Sequence, residues 1–164
     1  EAFSRPRQNG IRAISFTEGE DDRLLNVELT DGNSDIIIAV RSGRAIRFHE
    51  SHVRSMGRVA YGVRGITLDE DGDDIVVGMV CIDSPELDLL VVSENGYGKR
   101  SAIDDYRITN RGGKGIKTLQ ITEKTGRLVA IQAVTNQDDL MIVNKSGMVI
   151  RMAVSDLRVM GRAT

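Results

Sequence analysis

Tryptophan is absent from this 164-residue chain, cysteine occurs once, and no apolar run is long enough to cross a bilayer. Each shortage removes a class. A lone Cys81 excludes an intrachain disulfide and a thiolate-built metal cluster, and it fits a reducing compartment. The longest apolar stretch, residues 75–82, falls far short of the ~20 residues of a spanning helix. No basic-then-apolar leader opens the sequence, and Glu1 stands where an initiator methionine would, so a piece of a longer protein is expected. Helical periodicity is also missing, apart from single turns expected near 51–55 and 154–157.

What is present is a composition able to bury a core, 40% hydrophobic and 28% charged. The net charge of -2 conceals a segregation. Residues 18–35 hold one base against seven acids, and 69–88 hold eight acids and no base. Between and after them, 41–64 hold six bases against one acid, 98–117 six against two, and 145–162 four against one. Charge that alternates along a repeat can be gathered onto separate rims of a folded body, one basic and one acidic.

The repeat is explicit. Aligning Gly43, Gly96 and Gly147 gives spacings of 53 and 51 residues, in the range of a propeller or similar array. Four positions after each glycine stands Arg47, Arg100 or Arg151; eleven after stands Arg54, Arg107 or Arg158; fifteen after stands Arg58, Arg111 or Arg162. The tenth position is Val53, Tyr106 or Leu157, and the nineteenth is Gly62 or Gly115. The basic segment from Arg107 to Gly115, Arg-Ile-Thr-Asn-Arg-Gly-Gly-Lys-Gly, is the fullest copy of this loop.

Each copy contains four runs rich in β-branched residues and bounded by turn formers. They are 11–16, 23–29, 35–40 and 45–49; then 63–68, 74–82, 87–92 and 98–102; then 116–121, 127–134, 140–144 and 148–152. Arg41-Ser42-Gly43-Arg44, Glu94-Asn95-Gly96-Tyr97 and Lys145-Ser146-Gly147-Met148 are hairpin turns between the third and fourth runs. Residues 76–82 and 128–134 are apolar at nearly every position, as expected of strands buried on both faces. The fold expected is all-β, an open array of roughly three four-stranded propeller-like blades at 11–53, 63–106 and 116–157. Basic loops 54–62, 107–115 and 158–164 join or follow them.

With these loops and hairpins, the chain resembles the C-terminal domain of bacterial DNA gyrase A over essentially its whole length. Val53-Arg54-Ser55-Met56-Gly57-Arg58, followed by Gly62-Val63-Arg64-Gly65-Ile66, looks like that family's inter-blade loop, and Glu94-Asn95-Gly96-Tyr97-Gly98-Lys99-Arg100 looks like its hairpin. The resemblance implies a six-bladed β-pinwheel, whose blades exchange strands and whose rim binds and wraps duplex DNA. The family has a signature box, Gln-Arg-Arg-Gly-Gly-Lys-Gly in one form. Thr109 and Asn110 replace its first two residues here, while Arg111, Gly112, Gly113, Lys114 and Gly115 match. The family carries its box on the first blade, whereas three copies running to the chain end place this loop on a later one. It is therefore either the box or an imitation of it.

The function expected is non-catalytic, sequence-independent DNA wrapping that supports negative supercoiling by a cytoplasmic bacterial enzyme. The implied partners are duplex DNA, the rest of gyrase A and, through it, gyrase B, with no cofactor, metal, membrane or small-molecule substrate. The expected DNA-binding residues are Arg44, Arg47, Arg54, Arg58, Arg64, Lys99, Arg100, Arg107, Arg111, Gly112, Gly113, Lys114, Gly115, Lys117, Arg151, Arg158 and Arg162. Cations spaced along a rim suit a duplex carrying one charge per ~1.7 Å, and glycines admit main-chain N–H groups to the same phosphates. The alternatives are the equivalent domain of topoisomerase IV, or a protein-interaction propeller of the WD40 or RCC1 kind. WD40 blades carry Trp-Asp pairs, which a chain without tryptophan cannot supply.

Other chemistries fit poorly. A P-loop needs glycine five residues before its Gly-Lys pair, and the corresponding positions here are Ser93 and Ile108. His49 and His52 are one residue too close for the zincin spacing. The acidic runs 18–22 and 69–74 lack EF-hand spacing and read as solvated turns. Tyr61, Tyr97 and Tyr106 have no base or metal-binding carboxylates arranged around them for DNA cleavage, and the repeat position of Tyr106 marks it as core.

Overall fold

The hairpin turns expected at Gly43, Gly96 and Gly147 are all present, and the fold is organised around the three hairpins they close. In the computed structural model, which describes residues 3–5, 7–18, 21–70 and 72–164, the first pairs β1 (Asp35–Val40) with β2 (Arg44–His49). The next element is β3 (Val76–Ile82). The second hairpin pairs β4 (Asp88–Ser93) with β5 (Gly98–Ala102), the short β6 (Ile116–Lys117) follows, and then β7 (Leu128–Val134). The third hairpin pairs β8 (Asp139–Val143) with β9 (Val149–Ala153). In each turn the glycine adopts positive φ and donates its N–H back to the last residue of the strand or the one after it, at 3.0 Å in all three. Residues 19, 20 and 71 of the acidic runs lie outside the described residues.

Every hairpin ends in a single 3-10 turn, at Glu50–His52, Ile103–Asp105 and Val154–Asp156. The first and third coincide with the helical turns expected from sequence; the second carries no separate signal. Beyond the second and third turns the chain runs alongside the hairpin of the preceding copy. Parallel bridges join Arg47 to Ile108 and Arg100 to Val159.

The hydrogen-bonded sheets are β3-β1-β2-β6, β5-β4-β7 and β8-β9, all built from antiparallel neighbours. The grouping expected from sequence placed β3 with β4 and β5. Hydrogen bonding instead returns β3 to β1 in the preceding copy, and β7 to β4 likewise, with the same bulge at Ala39/Val40 and Val92/Ser93. Strands are exchanged between repeats, so sheets and sequence repeats are out of phase.

Three expected strands are not strands. Residues 11–16, 23–29 and 63–68 carry no ladder. Run 23–29 is the repeat counterpart of β3, which pairs with the hairpin before it, and no such hairpin precedes 23–29 among the described residues. Leu24, Leu25, Val27 and Leu29 are accordingly exposed. The expectation of two-sided burial also fails for β7: as the outer strand of its sheet it leaves Val129 47% exposed.

The main core lies between the first two sheets, where Ile37, Ala39, Val80, Leu89, Val91, Leu128 and Ile131 interdigitate with Tyr106 and Leu119. Tyr106 is fully buried, as its repeat position predicts, and its hydroxyl meets the Thr118 hydroxyl, so the one polar atom of the ring is satisfied. Gly78 permits β3 and β7 to touch, since a Cβ there would stand 2.9 Å from the Ile131 side chain.

The three turn glycines share a conformation but not a neighbourhood, which separates strain from packing. Gly43 and Gly147 both sit at φ +82°, yet a Cβ on Gly43 would lie 2.8 Å from the Leu119 carbonyl, whereas Gly147 has nothing within 4 Å. Gly147→Ala should cost about 1 kcal/mol from backbone conformation alone, and Gly43→Ala about 2–3 kcal/mol or more. Urea unfolding of the two variants checks this, and equal losses would contradict it.

Candidate nucleic-acid interface

Loop 107–115 is held along its length. Thr109 N–H donates to the Arg47 carbonyl at 2.8 Å, Gly112 N–H to the Gly65 carbonyl at 2.5 Å, and Thr67 donates its N–H to Gly113 O at 2.9 Å and its hydroxyl to Gly112 O at 2.7 Å. Gly115 sits at φ +72°, and a Cβ there would be 2.6 Å from the Ala45 carbonyl. Only glycine allows that approach to β2. The loop and β2 enclose a cleft of about 210 Å³, with Arg107, Thr109, Asn110 and Lys114 on its walls.

The cations named from sequence divide into two groups. Arg47 pairs with Asp35 at 2.7 Å and donates to the carbonyls of Ile103 and Tyr106 at 2.9 and 3.1 Å. Arg100 donates to the Leu157 carbonyl at 2.9 Å and to Asn136 Oδ1 at 2.6 Å, with Asp88 at 3.5 Å. Arg151 pairs with Asp139. Arg111 donates to His52 O at 2.9 Å and Arg64 O at 3.0 Å; Arg162 donates to Asp105 O at 3.0 Å and Lys117 O at 2.6 Å. Lys117 bonds Gln120, and Arg44 reaches toward Gly115 O at 3.5 Å.

Lys99 and Arg100, expected on the basic surface, are 5% and 6% exposed. Residues 157–162 cover them, and the Lys99 ammonium donates to the carbonyls of Gly161 and Arg162, each at 2.6 Å. Burial, and secondarily the Arg162 charge, lowers Lys99 to about 8, while Asp105 acts in the opposite direction.

The second group is exposed and engaged by no hydrogen bond or ion pair through the side chain among the described residues. It comprises Arg54, Arg58, Arg64, Arg107, Lys114 and Arg158. Arg54, Arg107 and Arg158 occupy one repeat position, just beyond successive 3-10 turns. Asp74, by contrast, accepts from Ser42 N–H and Oγ at 2.9 Å at the opposite, turn end of the first hairpin, and Asp73 pairs with Arg127.

Sequence reading missed the acid partners. Asp35, Asp88 and Asp139 each precede their arginine by twelve residues, and this spacing was visible in all three copies. It marks the fourth-position arginines as internally paired.

A family model described as "DNA gyrase C-terminal domain, beta-propeller" matches residues 34–83, 87–135 and 138–164. The chain belongs to this family. Apart from the short β6, the three matched stretches follow the three hydrogen-bonded sheets, so the exchanged strands β3 and β7 count with the hairpins they join. Curated DNA gyrase A from Staphylococcus aureus strain MRSA252 is 52% identical over 162 residues, and the sequence from strain NCTC 8325 agrees equally well. The match takes in 98% of this chain and 18% of the relatives' length. A solved DNA gyrase A C-terminal domain superposes with a TM-score of 0.83 at 27% identity, over 94% of this chain and 52% of that one. The C-terminal domain of a DNA topoisomerase IV superposes at 0.89 with 23% identity, over 98% and 49%, which shows a shared fold.

Lys99 offers a pH test within this family's scaffold. Its folded value of about 8 lies below its ordinary 10.5, so between those values the unfolded chain binds more protons and stability rises with pH. The difference in unfolding free energy between wild type and Lys99→Met should therefore move in favour of wild type from pH 8 to 10.5, and be flat below 8. Denaturant titrations at stepped pH measure it; a difference that is flat throughout would contradict the buried ammonium.

Proposed function

We propose that this chain is a non-catalytic module of a DNA gyrase A protein that binds duplex DNA through its phosphates and wraps it, supporting negative supercoiling by the holoenzyme. On this reading cleavage and ATP use belong to the rest of gyrase A and to gyrase B, in the bacterial cytoplasm. The carrying observation is the recurrence of Arg54, Arg107 and Arg158, exposed and without a side-chain partner among the described residues, at one repeat position in successive loops. Bending a duplex costs several kcal/mol, and contacts repeated along a rim are what offset it. The cleft beside Arg107 and Lys114 is of a size to admit a phosphate group, and the absence of an α-helix among the described residues favours backbone contact over reading of bases. The 52% identity to gyrase A supports gyrase over the topoisomerase IV alternative.

The six expected site cations without a side-chain partner among the described residues set the magnitude. Log K against log[salt] should slope at about -5, because each phosphate neutralised contributes about -0.9. Replacing Arg54, Arg107 and Arg158 with alanine should weaken binding by about 1 kcal/mol each, roughly five-fold per site, with little change in Tm. Titration of a labelled duplex of mixed sequence checks both. A slope near zero, or a strong preference for one sequence, would remove the reading.

A further inference from the structure

We infer that Arg111 and Arg162, despite lying in the basic loops, are positioning residues, and that each closes the neck of the preceding copy's loop. The inference rests on the DNA-wrapping reading but makes a claim of its own. Arg111 Nε donates to the carbonyl of His52 and its Nη1 to the carbonyl of Arg64. Those two carbonyls stand immediately before and after residues 53–63, the loop that carries Arg54 and Arg58. Arg162 repeats the geometry one copy later. Its Nε and Nη1 take the carbonyls of Asp105 and Lys117, which bracket residues 106–116 and thus Arg107 and Lys114.

The first of these loops depends most on such a tie, since loop 106–116 is also held to β2 by backbone hydrogen bonds. Within 53–63 the backbone makes one internal hydrogen bond, Ala60 N–H to Gly57 O, and two outward bonds, Val53 N–H to Glu50 O at its start and one received from Ser15 N–H. No ladder fixes the separation of its ends. A guanidinium is suited to the task because its planar fork presents Nε–H and Nη–H at a fixed separation, which an ammonium on a flexible stem does not. Arg162 is itself fixed, since the Lys99 ammonium holds the carbonyls of Gly161 and Arg162. Each copy therefore sets where its predecessor's free cations stand, and the direction in which the DNA leaves one blade for the next is fixed from the blade that follows.

Arginine-to-lysine exchange separates the two roles, because it preserves charge and removes the fork. Full-length gyrase A carrying Arg111→Lys is compared with wild type and with Arg107→Lys. Hydrogen exchange across amides 54–63, read at the hydrogen-bonded Ala60 amide, should become about ten-fold faster in Arg111→Lys, the factor expected when a charge-assisted tie to the backbone is lost. Arg107→Lys should leave these amides unchanged. DNA affinity and salt slope of Arg111→Lys should stay within about two-fold of wild type, because the charge count is unaltered. The linking-number change trapped per holoenzyme on nicked and religated plasmid should fall.

Unchanged exchange at 54–63 would overturn the neck closure. Wild-type supercoiling from Arg111→Lys, together with an Arg111→Ala variant whose salt slope drops by about one contact, would overturn it too and make Arg111 a phosphate ligand. If the wild-type holoenzyme itself trapped no linking change, the wrapping reading would fall, while the exchange result would still decide the neck closure by itself.

Discussion

Backbone carbonyls at the corners between sheets are the groups on which this fold turns. A hairpin satisfies its own ladder, but the 3-10 turn after it and the extended return leave acceptors without strand partners. Arginines from neighbouring copies supply the donors. Arg47 caps the Ile103–Asp105 corner through the carbonyls of Ile103 and Tyr106, and Arg100 caps the following corner through Leu157. Ile103 O keeps the Tyr106 N–H, but removing Arg47 would take the donor from the Tyr106 carbonyl and removing Arg100 that from the Leu157 carbonyl, a cost of about 1–3 kcal/mol per group. These arginines tie the first hairpin to the corner after the second, and the second to the corner after the third.

From this follows a division of labour among side chains that look alike. Charge near a corner does two incompatible things: a guanidinium committed to two carbonyls cannot also grip a phosphate, and a guanidinium free for a phosphate adds little to folding. The fourth position is committed and backed by an aspartate twelve residues earlier; the eleventh is free; the fifteenth, in Arg111 and Arg162, is committed to the loop behind it. The glycines of loop 107–115 act on the backbone in the same spirit, since Gly115 admits the Ala45 carbonyl to a distance that any Cβ would forbid. A rim that looks uniformly basic is a scaffold carrying a smaller set of available cations.

Much of this was legible. The repeat, the three hairpins and the core position of Tyr106 follow from spacing and β-branching, because turn chemistry and burial are local signals. Strand exchange was not legible in periodicity: β3 and β7 have the composition of strands in any sheet, and the partner is a matter of tertiary topology. Run 23–29 shows the reverse, strand composition without a ladder. The site was over-read for a similar reason. Composition marks Lys99 and Arg100 as surface cations, but the segment 157–162 that covers them lies more than fifty residues away in sequence. Only the Asp35, Asp88 and Asp139 spacing carried a sequence-level sign that some arginines are spoken for.

The division between committed and free arginines is tested most directly by arginine-selective dicarbonyl labelling of this chain, with and without duplex DNA, resolved residue by residue by mass spectrometry. Arg54, Arg107 and Arg158 should label readily in the free protein and be protected by DNA, while Arg47, Arg100, Arg111 and Arg162 stay slow in both states. Rapid labelling of Arg111 and Arg162 that DNA suppresses, with Arg54 and Arg107 indifferent to DNA, would contradict the account.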